Sequence, residues 1–385
     1  MGDKNRERLP GLFGRPENIA AQRARVEFRS GRPVIMTGAD GTIVGMPVDG
    51  LNAERLAFFR RLSAPARPHL VITAARACVL GIAAAGPVGL SIDDGDGAAP
   101  IFSLVAEARV EQNHPVVPAG PAADAAIELA KLAQQLPAVL VADGVAIAAT
   151  SCEPPLVTVS ADAVAQFRQE AIASVAVVAE ANVPLNGGLP ARFVIFRDAL
   201  GGASVAVIVG KPDFAQPIPM RLHSACLTGD VFGSRRCDCG DQLRLALSRL
   251  DECGGGIILY LEQEGRGLGL VNKMRAYRLQ DAGLDTLDAN TTLGFDDDER
   301  DYGIAARMLH MLGCTRVLLL TNNPAKLNGL ARTGIEVSGR IALHVAVNAD
   351  NRRYLTAKAT RAGHKLDPLF AAVAKGEPVG GDGRP

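Results

Sequence analysis

Short apolar runs alternate with helical patterns along this chain, and that alternation constrains its fold more than any other feature. From Val26 to Leu185 the runs "RPVIMTG", "HLVITA" and "PAVLVADG" are interleaved with segments such as "AADAAIELAKLAQQL". The runs have the length and β-branched content of buried strands, and the segments between them repeat their apolar residues at helical spacing. A second series begins at Phe193, with "SVAVIVG", "GIILYLEQEGRG" and "LLLTNNPAKLNGL" as its strands and strand ends. Such alternation predicts α/β architecture (α+β layers), each domain a mixed sheet with packed helices. At 385 residues the chain exceeds the ~250–300 residues one core usually supports, so two domains are expected.

Composition places the boundaries. Residues 1–25 read as a polar lead-in with a short helix, 26–185 as a first domain, 186–370 as a second, and 371–385 as a disordered tail. "NVPLNGGLPARF", with its Asn-Gly-Gly and two prolines, reads as a linker or as a turn leading into the second half. Forty-one basic and 41 acidic residues cancel, which leaves no overall field for nucleic acid or a membrane surface. The apolar stretch from His69 is broken by Arg76 and Pro87 before it reaches the ~18 residues of a membrane span. Seven cysteines without a signal-peptide run suit a reducing compartment, so a cytoplasmic protein is expected.

Two helices in the second half have clear signatures. "DQLRLALSRLDECGGG" aligns Leu243, Leu247 and Leu250 on one face and stops at glycines. "DERDYGIAARMLHMLG" aligns Ile304, Met308, Met311 and Leu312, with Asp297 and Asp298 expected as acidic caps.

Three of the seven cysteines gather in "CLTGDVFGSRRCDCGDQL": Cys226, Cys237 and Cys239. Cys237 and Cys239 can face one ion from a turn, and Cys226 can return to it from a preceding loop. Three protein ligands on zinc leave a position for a water that the metal acidifies. The same spacing also suits a structural zinc completed by a distant group such as His223, or ordinary buried thiols.

Two strand-end loops suit a nucleotide. In "LLLTNNPAKLNGL" a strand from Val317 ends at Leu320, Thr321, Asn322 and Asn323 form a loop, Pro324 opens a helix and Lys326 lies in its first turn, a usual setting for phosphate; a plain connection with a solvated lysine gives the same pattern. In "EQEGRGLGLVNKMRAY", Glu264 has the acceptors to read the N–H edge of guanine and Arg266 suits phosphate; a surface salt bridge is the other reading. "FDDDERDY" is explained by a solvated helix start, except that Arg300 opposes the helix dipole there.

Taken in order, "RLHSACLTGDVFGSRRCDCGDQL", "YLEQEGRGLGLVNKMRAYRLQDAGLDTLDAN", "LGFDDDERDYGIAARML" and "LLTNNPAKLNGLARTGIEV" resemble GTP cyclohydrolase II, over about 217–366. That family converts GTP to 2,5-diamino-6-(ribosylamino)pyrimidin-4-one 5′-phosphate, formate and pyrophosphate in riboflavin synthesis. The resemblance implies one zinc per subunit on Cys226, Cys237 and Cys239, supplying hydroxide to C8 of the guanine. It implies that Arg221, Leu222, His223, Ser224, Gln242, Glu264, Gly265, Arg266, Thr286, Thr321 and Lys326 hold GTP. Tyr277 would sit by the reacting ring. Arg300 would attack the α-phosphorus with Asp298 as proton acceptor, and magnesium would bridge the phosphates, held mostly by substrate and water. A homodimer is the expected assembly. The chain departs from the pattern at Ala225, usually glutamate, and at Glu262, often arginine. A non-catalytic or retuned nucleotide binder with structural zinc, and a bifunctional riboflavin enzyme, are the other readings.

"FRSGRPVIMTGADG" and "DAAIELAKLAQQLPAVLVADG" are similar to parts of 3,4-dihydroxy-2-butanone 4-phosphate synthase. That family's acidic run is reduced here to Asp40, and its later His-Thr-Glu is replaced by Ala122, Ala123 and Asp124. The first domain is therefore expected to keep the fold without the reaction.

Overall fold

A computed structural model describes residues 14–144, 153–199, 201–296, 298–348 and 350–361. The first part of the polar lead-in, the tail expected to be disordered and Asp297 of the acidic run lie outside them. The chain forms two compact units: Met1–Glu170 with Thr292–Phe295, and Ala171–Thr291 with Asp296–Pro385.

The first unit is built on a seven-stranded sheet of β1 (Val34–Gly38), β2 (Gly41–Pro47), β3 (His69–Ile72), β4 (Val88–Ser91), β5 (Val116–Pro118), β6 (Ala138–Asp143) and β7 (Thr158–Ser160), in the order β5-β4-β3-β6-β2-β1-β7. Every neighbouring pair is antiparallel except β1 and β7. Helix Pro121–Leu132 buries an alanine-rich face, including Ala122, Ala126 and Ala130, and comes close to β2 where Gly45 has no side chain; a Cβ there would stand 3.7 Å from Ala126. Asp40 sits in the β1–β2 turn and accepts from the Ala122 N–H (3.3 Å), so the last carboxylate of the faded acidic run caps this helix.

The second unit has β8 (Ala176–Asn182), β9 (Ala191–Arg197), β10 (Ala203–Gly210), β11 (Ile218–Ser224), β12 (Gly255–Leu261), β13 (Arg316–Leu320) and β14 (Glu336–Ile341) in the order β14-β13-β11-β12-β10-β9-β8. The run from β14 to β12 is parallel, and the run from β12 to β8 is antiparallel. Helix Cys239–Glu252 crosses between β11 and β12, and helix Pro324–Ala331 between β13 and β14. "GIILYL" is a nearly unbroken apolar run because both faces of β12 are covered: Ile257, Leu259 and Leu261 enter one core, Ile258 the other.

Of its two readings, the Asn-Gly-Gly stretch is a turn: it joins β8 to β9 inside the second unit, and the chain passes between units within helix Ala161–Ser174. Two expectations are corrected. The helix expected from the acidic run starts at Gly303; Asp298 spends its carboxylate on Arg300, and Asp301 accepts from the Gly303 N–H (2.6 Å). Met311 is 39% exposed at the end of that helix, while Met308 is fully buried.

Candidate active site

The parallel strands β11, β12 and β13 end together, and a cleft of about 1050 Å³, open mouth included, lies at those ends. Ligands bind at this end of parallel α/β sheets because loops and helix starts converge there with unpaired backbone groups. Alternation along β11 sorts its residues: Met220 and Leu222 enter the core, while Arg221 and His223 face the cleft. Leu222 is therefore core rather than substrate-binding. Its carbonyl accepts from Lys326 Nζ (2.7 Å).

The cysteines meet in this cleft. Cys226 follows β11, Cys237 lies in a turn and Cys239 opens helix Cys239–Glu252, yet their Sγ atoms lie within 4.8 Å of one another. Cys226 and Cys237 are 3.7 Å apart. Two glycines permit this. A Cβ on Gly229 would stand 2.8 Å from Cys237 Sγ and 3.1 Å from Cys226 Sγ; a Cβ on Gly240 would stand 2.2 Å from the Gly229 carbonyl.

Lys273, 8% exposed, donates to Cys226 Sγ (3.1 Å), Thr228 Oγ1 (3.0 Å) and Glu264 Oε1 (2.8 Å). Hydrogen bonds from the Cys237 and Cys239 thiols hold Cys226 far below the usual thiol value, with Lys273 adding to this; bonding to that thiolate pushes Cys237 and Cys239 up. For Lys273, burial is the largest influence and opposes its charge, but Glu264 and the thiolate outweigh it and raise its pKa. Three clustered thiols, one ionised beside a buried cation, are a donor set that fits zinc.

Behind the cysteines stands Asp230, a residue the sequence reading missed. Its carboxylate accepts from the Tyr260 hydroxyl (2.9 Å) and the Cys226 N–H (3.0 Å), and His223 Nε2 lies 3.1 Å from both of its oxygens. His223 also stacks on Tyr260, with ring centroids 5.5 Å apart. Its pKa is lowered, mainly by burial, so the ring is neutral. With the proton on Nε2 facing Asp230, Nδ1 is an acceptor, and it is buried without a partner among the described residues.

The opposite side is cationic. Arg221 is buried and gives Nη1 to the Leu320 carbonyl (2.9 Å) and Nη2 to Gln242, leaving Nε unmet; burial lowers its pKa to about 10. Lys326 is 6% exposed, which excludes the solvated reading. Arg300 lines the cleft and pairs with Asp298 through Nε (2.7 Å) and Nη2; Asp298 itself stands behind it, outside the lining. Desolvation pulls Asp298 upward, but hydrogen bonding and charge from Arg300 prevail and lower its pKa.

The remaining residues are sorted as follows. Ser224, Gly265, Arg266, Tyr277, Thr286 and Thr321 all line the cleft, Tyr277 with the Arg236 guanidinium 4.4 Å above its ring. Thr321 Oγ1 accepts from the Asn323 N–H (3.0 Å), fixing the loop before the helix. Glu264 is in the cleft, but its carboxylate already accepts from Leu227 N–H (2.7 Å), Gly265 N–H (3.0 Å) and Lys273. Its work in this structure is to join loops rather than to read a base. Of the two departures, Ala225 lines the cleft, whereas Glu262 lies outside it and accepts from the Ala203 N–H (2.9 Å). Lys273, Gln280, Asn290, Asn322 and Asn323 line the cleft without having been singled out by the sequence.

The profile of a family described as GTP cyclohydrolase II matches residues 176–342. GTP cyclohydrolase-2 of Azospirillum brasilense is 41% identical over 360 residues, covering 90% of this chain and 93% of that protein. Riboflavin biosynthesis protein RibBA of Endomicrobium trichonymphae is 47% identical over 188 residues, 47% of each chain. Among solved structures, RibBX of A. baumannii, a two-domain 3,4-dihydroxy-2-butanone 4-phosphate synthase, aligns with 84% of this chain and 98% of its own at 15% identity and a TM-score of 0.32, too low to establish a shared fold. Among the described residues no helix is long and apolar enough to cross a membrane.

Proposed function

We propose that this chain, which belongs to the GTP cyclohydrolase II family of riboflavin biosynthesis, binds GTP in the cleft at the ends of β11, β12 and β13. There it yields the diaminopyrimidine nucleotide, formate and pyrophosphate. What carries the reading is one cleft that holds three thiols within 4.8 Å of one another together with Arg300 paired to Asp298. Cys226, Cys237 and Cys239 would hold a zinc ion, which would supply Lewis acidity for hydrolysis at C8.

The chain's own residues do the rest. Arg221, Lys326 and Arg300 put positive charge where a triphosphate would lie, and magnesium bound with the substrate would add to it. His223 Nδ1 accepts a hydrogen bond from the nucleotide or a water, and Tyr277 lies against the base. In the phosphoryl step a guanidinium nitrogen of Arg300 bonds to the α-phosphorus, the bond to the pyrophosphate oxygen breaks, and the nitrogen's proton passes to Asp298; water then attacks the same phosphorus, the nitrogen–phosphorus bond breaks, and the proton returns from Asp298 to the guanidine as the monophosphate leaves. Asp298 is a weak base while Arg300 is a cation. Its basicity rises as that charge is lost to the new nitrogen–phosphorus bond.

The first unit is proposed to have lost the synthase reaction, since Asp40 caps a helix and Ala122, Ala123 and Asp124 stand where that family has His-Thr-Glu. A homodimer is proposed from the family resemblance, and the adjacent exposed Val231 and Phe232 are candidate contact residues. A cytoplasmic location fits the free thiols of the described cysteines. The test is mass spectrometry after the zinc- and magnesium-loaded protein has been incubated with GTP. The diaminopyrimidine monophosphate with formate is expected, and ribulose 5-phosphate should give no formate. GTP that is bound but recovered intact would replace this reading with that of a nucleotide-binding protein.

A further inference from the structure

Three donors converge on the Asp230 carboxylate, which no step above uses, and they do not share its oxygens evenly. Oδ2 takes the Cys226 N–H (3.0 Å) and the Tyr260 hydroxyl (2.9 Å). His223 Nε2 lies 3.1 Å from both oxygens and is the one partner that Oδ1 has among the described residues. The Asp230 side chain is 4% exposed, so these bonds are made away from bulk water. Its own N–H donates to the Cys226 carbonyl (2.7 Å), which braces the short helical turn Leu227–Val231 that follows β11.

The His223 ring is held on two sides. The parallel register sets His223 beside Tyr260, and their rings stack with an interplanar angle of 15°. Asp230 takes the Nε2 edge. A bare nitrogen lone pair between two carboxylate oxygens would be repelled, so Nε2 carries a proton. Burial, with help from the charges of Arg221 and Lys326, outweighs Asp230 and keeps a second proton off the ring. That leaves the Nδ1 edge. His223 lines the cleft and is 2% exposed, and Nδ1 is a buried acceptor with no partner among the described residues. Buried acceptors are rarely left unmet, so an unmet one on a cleft wall points to a donor on the ligand.

We propose that Asp230 is a positioning residue: it fixes the proton of His223 on Nε2, so that Nδ1 meets the nucleotide as an acceptor for an N–H or O–H of the guanine or ribose. The proposal rests on the cyclohydrolase reading above for the identity of that nucleotide. Asp230→Asn separates the two duties of the carboxylate. An amide oxygen in the place of Oδ2 keeps the Cys226 N–H and the Tyr260 hydroxyl, while the amide nitrogen in the place of Oδ1 turns its hydrogens toward His223 Nε2. The ring answers by moving its proton to Nδ1, which makes the cleft acceptor a donor.

The test uses the full-length, zinc-loaded protein. Nitrogen–proton correlation spectra of the histidine rings, assigned with His223→Phe, should place the His223 proton on Nε2 in the parent and on Nδ1 in Asp230→Asn, with zinc content unchanged. The second readout is calorimetric titration with the α,β-methylene forms of GTP, ATP, 2′-deoxy-GTP and 3′-deoxy-GTP, which cannot release pyrophosphate. ATP lacks the N–H edge of guanine, and each deoxy form lacks one ribose hydroxyl. Asp230→Asn should bind the GTP analogue about ten- to a hundredfold more weakly, because a buried donor then faces a donor. Added to His223→Phe, it should weaken binding by less than about twofold more. The analogue that lacks the donor Nδ1 meets should bind the parent more weakly than the GTP form and bind Asp230→Asn equally well. A parent ring protonated on Nδ1 or on both nitrogens, a ring unchanged in Asp230→Asn, or the same discrimination among the four nucleotides in both proteins would overturn the proposal. None of these readouts needs turnover, so a parent that passes them yet converts no GTP would count against the cyclohydrolase reading and not against the role of Asp230.

Discussion

Replacing Gly229 with alanine should disable the metal site while leaving all three cysteines in place. The new Cβ would stand 2.8 Å from Cys237 Sγ, 3.1 Å from Cys226 Sγ and 3.1 Å from Cys239 Cβ. Ordinary non-bonded contact is about 3.5 Å or more, so Cys237 Sγ must retreat by roughly 0.7 Å. Metal sites tolerate deviations of about 0.2 Å in ligand distance, so the demanded shift is several times the tolerance. It cannot be shared easily, because the helix start at Gly240 packs on the Gly229 carbonyl from the other side. Disturbing the groups that orient ligands typically weakens metal binding ten- to a hundredfold, roughly 1.4 to 2.8 kcal/mol, and this contact touches the ligands themselves. Zinc competition against a chromophoric chelator measures the loss, with circular dichroism to show that the fold persists. Parent-like zinc affinity in a folded Gly229→Ala protein would refute the claim that the glycine makes room for the thiols.

Three further outcomes are expected. Lys273→Met leaves the Glu264 carboxylate and the Cys226 thiolate without their shared buried cation; it should cost on the order of 3 kcal/mol in a denaturant titration of the metal-free protein and reduce zinc affinity as well. Cys237→Ala should lose zinc and ring opening, measured by metal analysis and by formate, while pyrophosphate release from GTP continues at Arg300. The folded-state pKa of Asp298 is depressed, so its pairing with Arg300 stabilises fully above the unfolded value of ~3.9 and fades as pH falls through the lowered folded value. The difference in melting temperature between the parent and Asp298→Asn should therefore hold level from neutral pH to about pH 5 and shrink at lower pH.

The strands and the cysteine trio were legible in the sequence because each is a local pattern. The β12 run "GIILYL" declares a strand covered on both faces, and the trio lies within fourteen residues. Lys273 was not legible. Read locally it is one more lysine in "VNKMRAY", and only the meeting of Cys226, Thr228 and Glu264 around it turns it into a buried cation. Asp230 was hidden for the same reason, since its partners come from β11, β12 and the turn between. The Asn-Gly-Gly stretch shows a different limit. Turn chemistry is the same in a hairpin as in a link between domains, and β8, exposed along its whole length, lacks the alternation that would have announced a strand before it. The acidic run misled because carboxylates at a helix start and a carboxylate holding an arginine look alike in sequence; only Arg300, in the wrong place for a helix dipole, hinted at the difference.

In a chain with no net charge, the polyanion site proposed above depends on cations held locally. Arg221 anchors its guanidinium on the Leu320 carbonyl and Gln242, and Lys326 bonds to the Leu222 carbonyl, so main-chain and amide oxygens fix these cations at the strand ends. Carbonyl oxygens orient a cation without neutralising it. Two residues apart on the same face of β11, Arg221 Nε is a buried donor and His223 Nδ1 a buried acceptor, and neither has a partner among the described residues. Buried polar atoms are rarely left unmet, since each costs about 1–3 kcal/mol. One unmet donor and one unmet acceptor at a cleft wall are what a molecule with both anionic oxygens and N–H or O–H groups, such as a nucleotide, would satisfy.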